Sequence, residues 1–248
     1  MVNKISVVIL TKNSQKYIYE CLKSLVKFDE VVILDNGSTD NTLEIANEFS
    51  NVKIHLHEFI GFGPLKNLAI SYTKYDWILS IDSDEIFSES LVDEILSKPL
   101  IPTCVYAIQR DNYYKNKLIK CCGWQNDYVY RLFNKNITSF NNKPVHESVI
   151  LENMKTEKLK NRFKHYSFGN PSELLQKMDK YSSLYAQEYS LVKKSSPLKA
   201  FIRAFVAFLK NYFFQRGFLC GYEGLLISIS NANGVFYKYI KLYEENKK

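Results

Sequence analysis

The first ninety residues alternate between short apolar runs and stretches with helical spacing, and this alternation constrains the fold more than any other feature. Ile5–Leu10 reads ISVVIL, Val31–Leu34 reads VVIL and Trp77–Ile81 reads WILSI. A nearly unbroken apolar run of that length belongs to a strand covered on both faces. Between the runs, Gln15–Val26 carries Tyr17, Ile18, Cys21, Leu22 and Leu25 at helical spacing, with Ser14 as the expected N-cap. Thr39 or Asp40 is expected to cap a helix bearing Leu43, Ile45, Ala46 and Phe49, and Val52–His57 reads as a third strand. Pro64 stands where the first turn of a helix over Leu65–Tyr72 would begin. Strands and helices in this order imply right-handed βαβ units and a mainly parallel sheet.

Pro99 and Pro102 punctuate the end of that unit. Cys104–Arg110, Leu118–Cys122 and Tyr128–Phe133 then read as shorter strands of a mixed sheet, with a hairpin turn at Lys115–Lys117. Beyond His165 the pattern turns helical over Glu173–Val192, Leu198–Phe218 and Gly224–Tyr243. We therefore expect an α/β core over residues 1–165 and a helical C-terminal annex over residues 166–248. The five cysteines are odd in number and lack a Cys-x-x-Cys spacing, so they predict neither a disulfide framework nor a zinc site. ISVVIL is shorter than a signal-peptide core, and the cytoplasm is the expected compartment.

Three polar loops follow three strands: Thr11, Lys12 and Asn13 after the first, Asp35 to Asp40 after the second, and Asp82, Asp84 and Glu85 after the fourth. In open α/β sheets the loops at the carboxyl ends of strands diverge into a ligand crevice. Any one polar loop is ordinary; three together mark a site. Asp82-Ser83-Asp84 lets two carboxylates approach one hard cation from a tight turn, which fits Mg²⁺ or Mn²⁺ shared with substrate phosphates. The competing reading is an acidic start to the helix at Ser88–Leu96. His55 and His57 share one strand face but have no further paired ligand in the sequence, and read as ordinary strand residues.

ISVVILTKN, VVILDNGSTDNT, GFGPLKNLAI and WILSIDSDE, in that order, resemble the family-two inverting glycosyltransferases of the GT-A fold. HYSF and GFLCGYEGL more loosely resemble the branch containing lipopolysaccharide inner-core β-1,4-glucosyltransferases. The resemblance implies a GT-A, Rossmann-like nucleotide-diphospho-sugar transferase core. It implies that Thr11 and Asn13 line the nucleotide pocket, that Asp35 hydrogen-bonds a base, most often uracil, and that Lys66 contacts the diphosphate. Asn36 departs from the second Asp of many relatives. Asp82 would hold the ribose or a metal-bound water and Asp84 would bind the Mn²⁺ or Mg²⁺ directly, with His165 as a further metal or diphosphate ligand. Inversion needs a carboxylate to take the acceptor proton. Glu147, in NKPVHESV, stands where that branch has a His-Glu pair, here with His146; Asp127 and Asp111 are the second and third choices. Trp124 has two readings, a platform for an acceptor sugar or a core residue.

The resemblance further implies a UDP-sugar donor and a lipid-linked oligosaccharide acceptor of lipopolysaccharide type, a polyprenyl phosphate being the alternative. A Gln-x-x-Arg-Trp string is absent, which favours addition of a single sugar. A sugar nucleotidyltransferase would show a Gly-rich basic loop after the first strand, and TKNSQKY is not one. Nucleic acid is not an expected partner, since no such motif appears and a basic module would not explain Asp82 and Asp84.

Net charge is +7, yet from Asn153 onward there are 17 Lys and Arg against 7 Asp and Glu. Lys199, Arg203 and Lys210 fall on one helical stripe, and Phe201, Phe205, Phe208 and Tyr212 on another, widened by Ile202, Val206, Leu209 and Phe213. Such a helix is too charged to span a bilayer. It either packs on the core or lies, aromatic side down, on an anionic inner-membrane surface. The second reading makes the protein peripheral at the inner face of a bacterial inner membrane.

Overall fold

The computed structural model describes residues 3–144 and 147–248. The chain divides into two compact units, one of Met1–Arg110 with Tyr128–His165 and one of Asp111–Asp127 with Tyr166–Lys248. The segment Asp111–Asp127 thus belongs with the C-terminal helices, where the sequence reading placed it in the core.

The first unit opens with β1 (Ile5–Thr11), α1 (Ile18–Lys23), β2 (Glu30–Asp35), α2 (Thr42–Asn47), β3 (Val52–Leu56), α3 (Phe62–Ser71) and β4 (Trp77–Asp82). There follow β5 (Glu85–Phe87), α4 (Glu89–Ser97), β6 (Cys104–Tyr114), β7 (Lys117–Leu118), β8 (Asp127–Asn134) and β9 (Lys155–Phe168). The sheet order is β3-β2-β1-β4-β8-β6-β9-β5, with β7 pairing β6. β1 runs parallel to β2 and β4, β2 parallel to β3, and β8 antiparallel to β4.

The apolar runs behave as continuous runs should. On one sheet face Val7, Ile9, Ile33, Leu79 and Ile81 pack with Ile18, Leu22 and Ile95. On the other, Val8, Leu34 and Ile78 pack with Leu65 and Ile70 of α3. Ser88 caps α4, its hydroxyl accepting from the Leu91 amide at 3.2 Å. α1 begins at Ile18, where Ser14 acts through its backbone carbonyl, accepting from the Tyr17 and Ile18 amides. α3 starts at Phe62, two residues ahead of Pro64, after Gly61 at φ 105°.

β9 was not expected. Its residues alternate, Leu159, Phe163 and His165 buried between exposed lysines, but three buried positions in fourteen, one of them a histidine, make a faint period-two signal. It pairs antiparallel with β5, setting His165 opposite Glu85.

In the second unit β6 turns at Lys115 (φ 53°) into β7, and the expected strand over Leu118–Cys122 stops after Leu118. Three helices follow: α5 (Pro171–Tyr189), α6 (Pro197–Leu209) and α7 (Gly221–Glu245). α6 ends in a π-helical turn over Lys210–Phe214, and a 3₁₀ turn over Gly217–Cys220 leads into α7. Cys121 and Cys220 form a disulfide, 99 positions apart, which corrects the reading of the cysteines. The bond depends on the Asp111–Asp127 segment meeting the start of α7, a pairing that no local spacing encodes. Lys117 and Glu223 join the same two segments at 2.8 Å. Among the described residues no helix is long and apolar enough to cross a membrane.

Candidate active site

Parallel register gathers the polar loops. Thr11 stands beside Asp35, and Leu10 beside Asp82, so three strand ends meet at one edge of the first unit. Asp35 is fully buried and organises its own loop. Its Oδ1 accepts from the Gly37 amide at 2.9 Å and the Ser38 amide at 2.8 Å; its Oδ2 accepts from Thr11 Oγ1 at 2.9 Å and Ser38 Oγ at 2.5 Å. Burial alone would push its carboxyl up, yet the bonds from Ser38, Thr11 and Gly37 hold it below the usual range. Asn13, at φ 51°, accepts from the Thr39 amide at 2.8 Å and stitches the first loop to the second. Asn36 Nδ2 is buried with no hydrogen-bond partner, the kind of donor that a ligand carbonyl satisfies.

The Asp82-Ser83-Asp84 turn is braced from below. Arg131 of β8, 5% exposed, donates from Nη2 to Asp82 Oδ2 at 2.7 Å and to Glu85 Oε1 at 2.5 Å. The second oxygen of the fully buried Glu85 accepts from the Asp82 amide at 2.9 Å. Burial drives Glu85 up to about 7, in spite of Arg131. Asp82 goes the other way: burial raises it, but Arg131 and then Lys66 outweigh that and hold it well below the usual carboxylate range. Arg131 is the site residue that sequence reasoning missed; Glu85 was read only as part of the polar loop after the fourth strand. In YRLF nothing marks Arg131 except that a charged residue interrupts an otherwise apolar strand end.

Lys66 is 3% exposed. Its Nζ lies 3.4 Å from Asp82 Oδ1, 3.1 Å from Glu147 Oε1 and 5.1 Å from the centre of the Phe140 ring. α3 also positions the loop that leads to Glu147. Its first amides, orphaned in any helix, donate to that loop: Phe62 to the Pro144 carbonyl and Gly63 to the Lys143 carbonyl, both at 3.1 Å. Asn67 brackets the Phe140 backbone, donating to its carbonyl at 2.9 Å and accepting from its amide at 3.0 Å. A Cβ at Gly63 would collide with the Asn141 carbonyl. Gly63→Ala is therefore expected to cost about 1–3 kcal/mol of stability and to lower turnover by displacing Glu147. Thermal melts and steady-state rates of the variant check this, and an unchanged melt would show that the loop yields freely.

Asp84 Oδ2 faces His165 Nε2 at 3.6 Å across the β5–β9 pairing. Among the described residues no three His, Cys, Asp or Glu side chains converge into a ready-made metal cage. Asp84 and His165 face each other closely enough to share one cation. Such an oxygen and nitrogen pair suits Mn²⁺ or Mg²⁺ completed by phosphate oxygens and water.

The remaining sequence candidates fall elsewhere. Asp127 accepts from Asn112 at 3.0 Å in the second unit, to which Asp111 also belongs. Trp124 packs against the second-unit core beside Phe168. His55 stacks on Tyr72 at 4.0 Å, and His57 Nδ1 meets the Glu58 carbonyl at 2.7 Å. His146 lies outside the described residues.

Residues 6–119 match the sequence profile of Glycosyl transferase family 2. An uncharacterized glycosyltransferase of Rickettsia typhi is 32% identical over 264 residues, spanning 97% of this chain and 87% of that protein. The lipopolysaccharide core biosynthesis glycosyltransferase LpsC of Rhizobium meliloti is 23% identical, over 98% of this chain and 93% of that protein. Among solved structures, mannosyltransferase PcManGT from Pyrobaculum calidifontis, in complex with GDP-Man and Mn²⁺, matches with a TM-score of 0.55 at 12% identity, covering 98% of this chain and 87% of that one. That likeness shows the fold, an α/β nucleotide-sugar transferase core of the GT-A kind with a helical C-terminal region.

Proposed function

This chain belongs to glycosyltransferase family 2, and on that premise we propose an inverting, metal-assisted enzyme that moves one hexose from a UDP-sugar to a lipid-linked oligosaccharide of lipopolysaccharide-core type. The observation that carries the reading is the cluster Lys66–Asp82–Glu147 beside Asp84 and His165 at one sheet edge. The likeness to LpsC supports the acceptor class. Such an acceptor would place the enzyme in the cytoplasm, peripheral at the inner face of the inner membrane.

In this reading the acceptor hydroxyl oxygen attacks the anomeric carbon as Glu147 takes its proton. The bond from that carbon to the diphosphate oxygen breaks with its electron pair, and the nucleoside diphosphate leaves. A single displacement inverts the anomeric centre and needs no enzyme nucleophile. Lys66 supplies positive charge where the leaving diphosphate gains negative charge. A divalent cation on Asp84 and His165 would add the same stabilisation as a Lewis acid. Asp35 holds the loop that shapes the base pocket, and the unpartnered Asn36 amide is placed to donate to a base carbonyl. Arg131 and Glu85 keep Asp82 aligned.

Calorimetric titration with UDP tests the cation role: affinity is expected to fall when Mn²⁺ is replaced by chelator, and to fall likewise in Asp84→Ala. Equal affinity under all three conditions would remove the metal from the mechanism. A hydrolysis screen across nucleotide sugars then identifies the donor.

A further inference from the structure

α6 is packed with its small residues inward. Ala200, Ala204 and Ala207 fall on one face at i, i+4 and i+7; Ala200 is fully buried and the other two are half-buried. The next residue on that face, Asn211, donates to the Ala207 carbonyl at 2.7 Å and accepts from Asn231 of α7 at 2.9 Å. The large apolar side chains point the other way. Leu198, Phe201, Ile202, Phe205 and Val206 are all at least half exposed, Phe201 at 63%. The π and 3₁₀ turns continue the surface with Phe213, Phe214, Phe218 and Leu219, of which Phe214 is 83% exposed. A soluble amphipathic helix does the reverse, and contiguous apolar surface of this kind marks an interaction face.

Charge specifies the partner. Between Glu188 and Glu223 the chain has no acidic residue and six basic ones: Lys193, Lys194, Lys199, Arg203, Lys210 and Arg216. Lys199, Arg203 and Lys210 are all exposed and run along one border of the outward apolar arc of α6. A protein partner of mixed charge, or a second copy of this equally basic face, gains nothing from an acid-free rim. An anionic bilayer gains twice, because aromatic and aliphatic groups settle at the acyl boundary while the rim reaches headgroup phosphates.

We propose that the α6 face, with the turns that join it to α7, is an interfacial anchor that docks the protein on an anionic lipid surface. The anchor rests on the transferase reading only for its purpose, bringing the enzyme to a lipid-linked acceptor; the surface itself stands on the second unit alone. Because the side chains involved are exposed, replacing them leaves packing intact, and thermal melts check that.

The full chain is sedimented with vesicles of phosphatidylcholine, and with vesicles of equal parts phosphatidylcholine and phosphatidylglycerol. Wild type is expected to pellet with the anionic vesicles at low salt and to be released at high salt. Lys199→Glu with Arg203→Glu and Lys210→Glu should weaken partitioning about a hundredfold or more, and Phe205→Ser with Phe214→Ser about tenfold or more. Wild type that ignores anionic vesicles, or binds neutral ones equally, overturns the proposal. So does a Phe205→Ser/Phe214→Ser protein that binds as wild type, or one that merely converts a dimer to a monomer in sedimentation velocity. Donor hydrolysis is measured in parallel without lipid. Turnover without vesicle binding defeats the anchor alone, and vesicle binding without turnover on any nucleotide sugar defeats the transferase reading alone.

Discussion

Glu147→Gln is expected to lower turnover by ~10²–10⁴-fold while nearly preserving affinity for UDP. The amide keeps the shape and polarity of the carboxylate but cannot accept the acceptor's proton. Lys66 loses one of its two carboxylate neighbours, Glu147 at 3.1 Å, and keeps the other, Asp82 at 3.4 Å, so its ammonium is not stranded in the interior. That retained pair is why the donor side of the site should survive. Single-turnover rates with a soluble acceptor fragment, beside calorimetry with UDP, separate the two effects. Near-normal turnover would exclude Glu147 as the base. A matching loss of UDP affinity would instead make Glu147 part of the donor site.

Much of this geometry was legible because strand ends in a parallel sheet are fixed by register. Once ISVVIL, VVIL and WILSI are read as adjacent buried strands, Thr11, Asp35 and Asp82 must arrive at one edge. The helix read over Ser88–Leu96 also formed, as α4, with the Ser88 hydroxyl as its cap. Side-chain direction was not legible. Asp35 looked like a ligand residue, yet its carboxylate accepts from Gly37 and Ser38 of its own loop and from Thr11 of β1, a preference that depends on Gly37 (φ 90°) and Ser38 curling back. Asp82 and Asp84 were given different roles from the resemblance, but the cations that face Asp82, Lys66 and Arg131, come from 16 positions before it and 49 positions downstream. Long-range partners defeat spacing arguments for the same reason at Cys121 and Cys220, and at His165, which reaches Asp84 because a lysine-rich segment folds as β9. On α6 the two stripes were separated from sequence, but both point outward, because the alanine face between them is the one that packs inward.

Arg131→Met should be the most destabilising single change in the site. It leaves Glu85, with no exposed surface, only the more distant Arg110 guanidinium at 3.9 Å, and it removes the 2.7 Å bond that aligns Asp82. Removing the close partner of a buried pair costs up to about 3–5 kcal/mol, and Arg110 at 3.9 Å offsets only part of the charge left behind. The loss should depend on pH. Glu85 sits at about 7 in the folded protein, against about 4.3 in an unfolded chain. The folded state therefore binds the extra proton between those values, and this group's contribution to stability falls as pH rises across that window. Without Arg131 the folded value climbs further, so ionisation goes on opposing the fold above pH 7. The deficit of Arg131→Met relative to wild type should then be smallest near pH 5, where the lost pairing with ionised Asp82 still counts, and should widen toward pH 9 as Glu85 ionises. Denaturant melts across that range measure it. The double variant Arg131→Met/Glu85→Gln should recover much of the loss at high pH, since no buried charge is left alone. A deficit that is flat with pH, or a double variant no more stable than the single, would show that Arg131 acts through Asp82 or by packing rather than by pairing with Glu85.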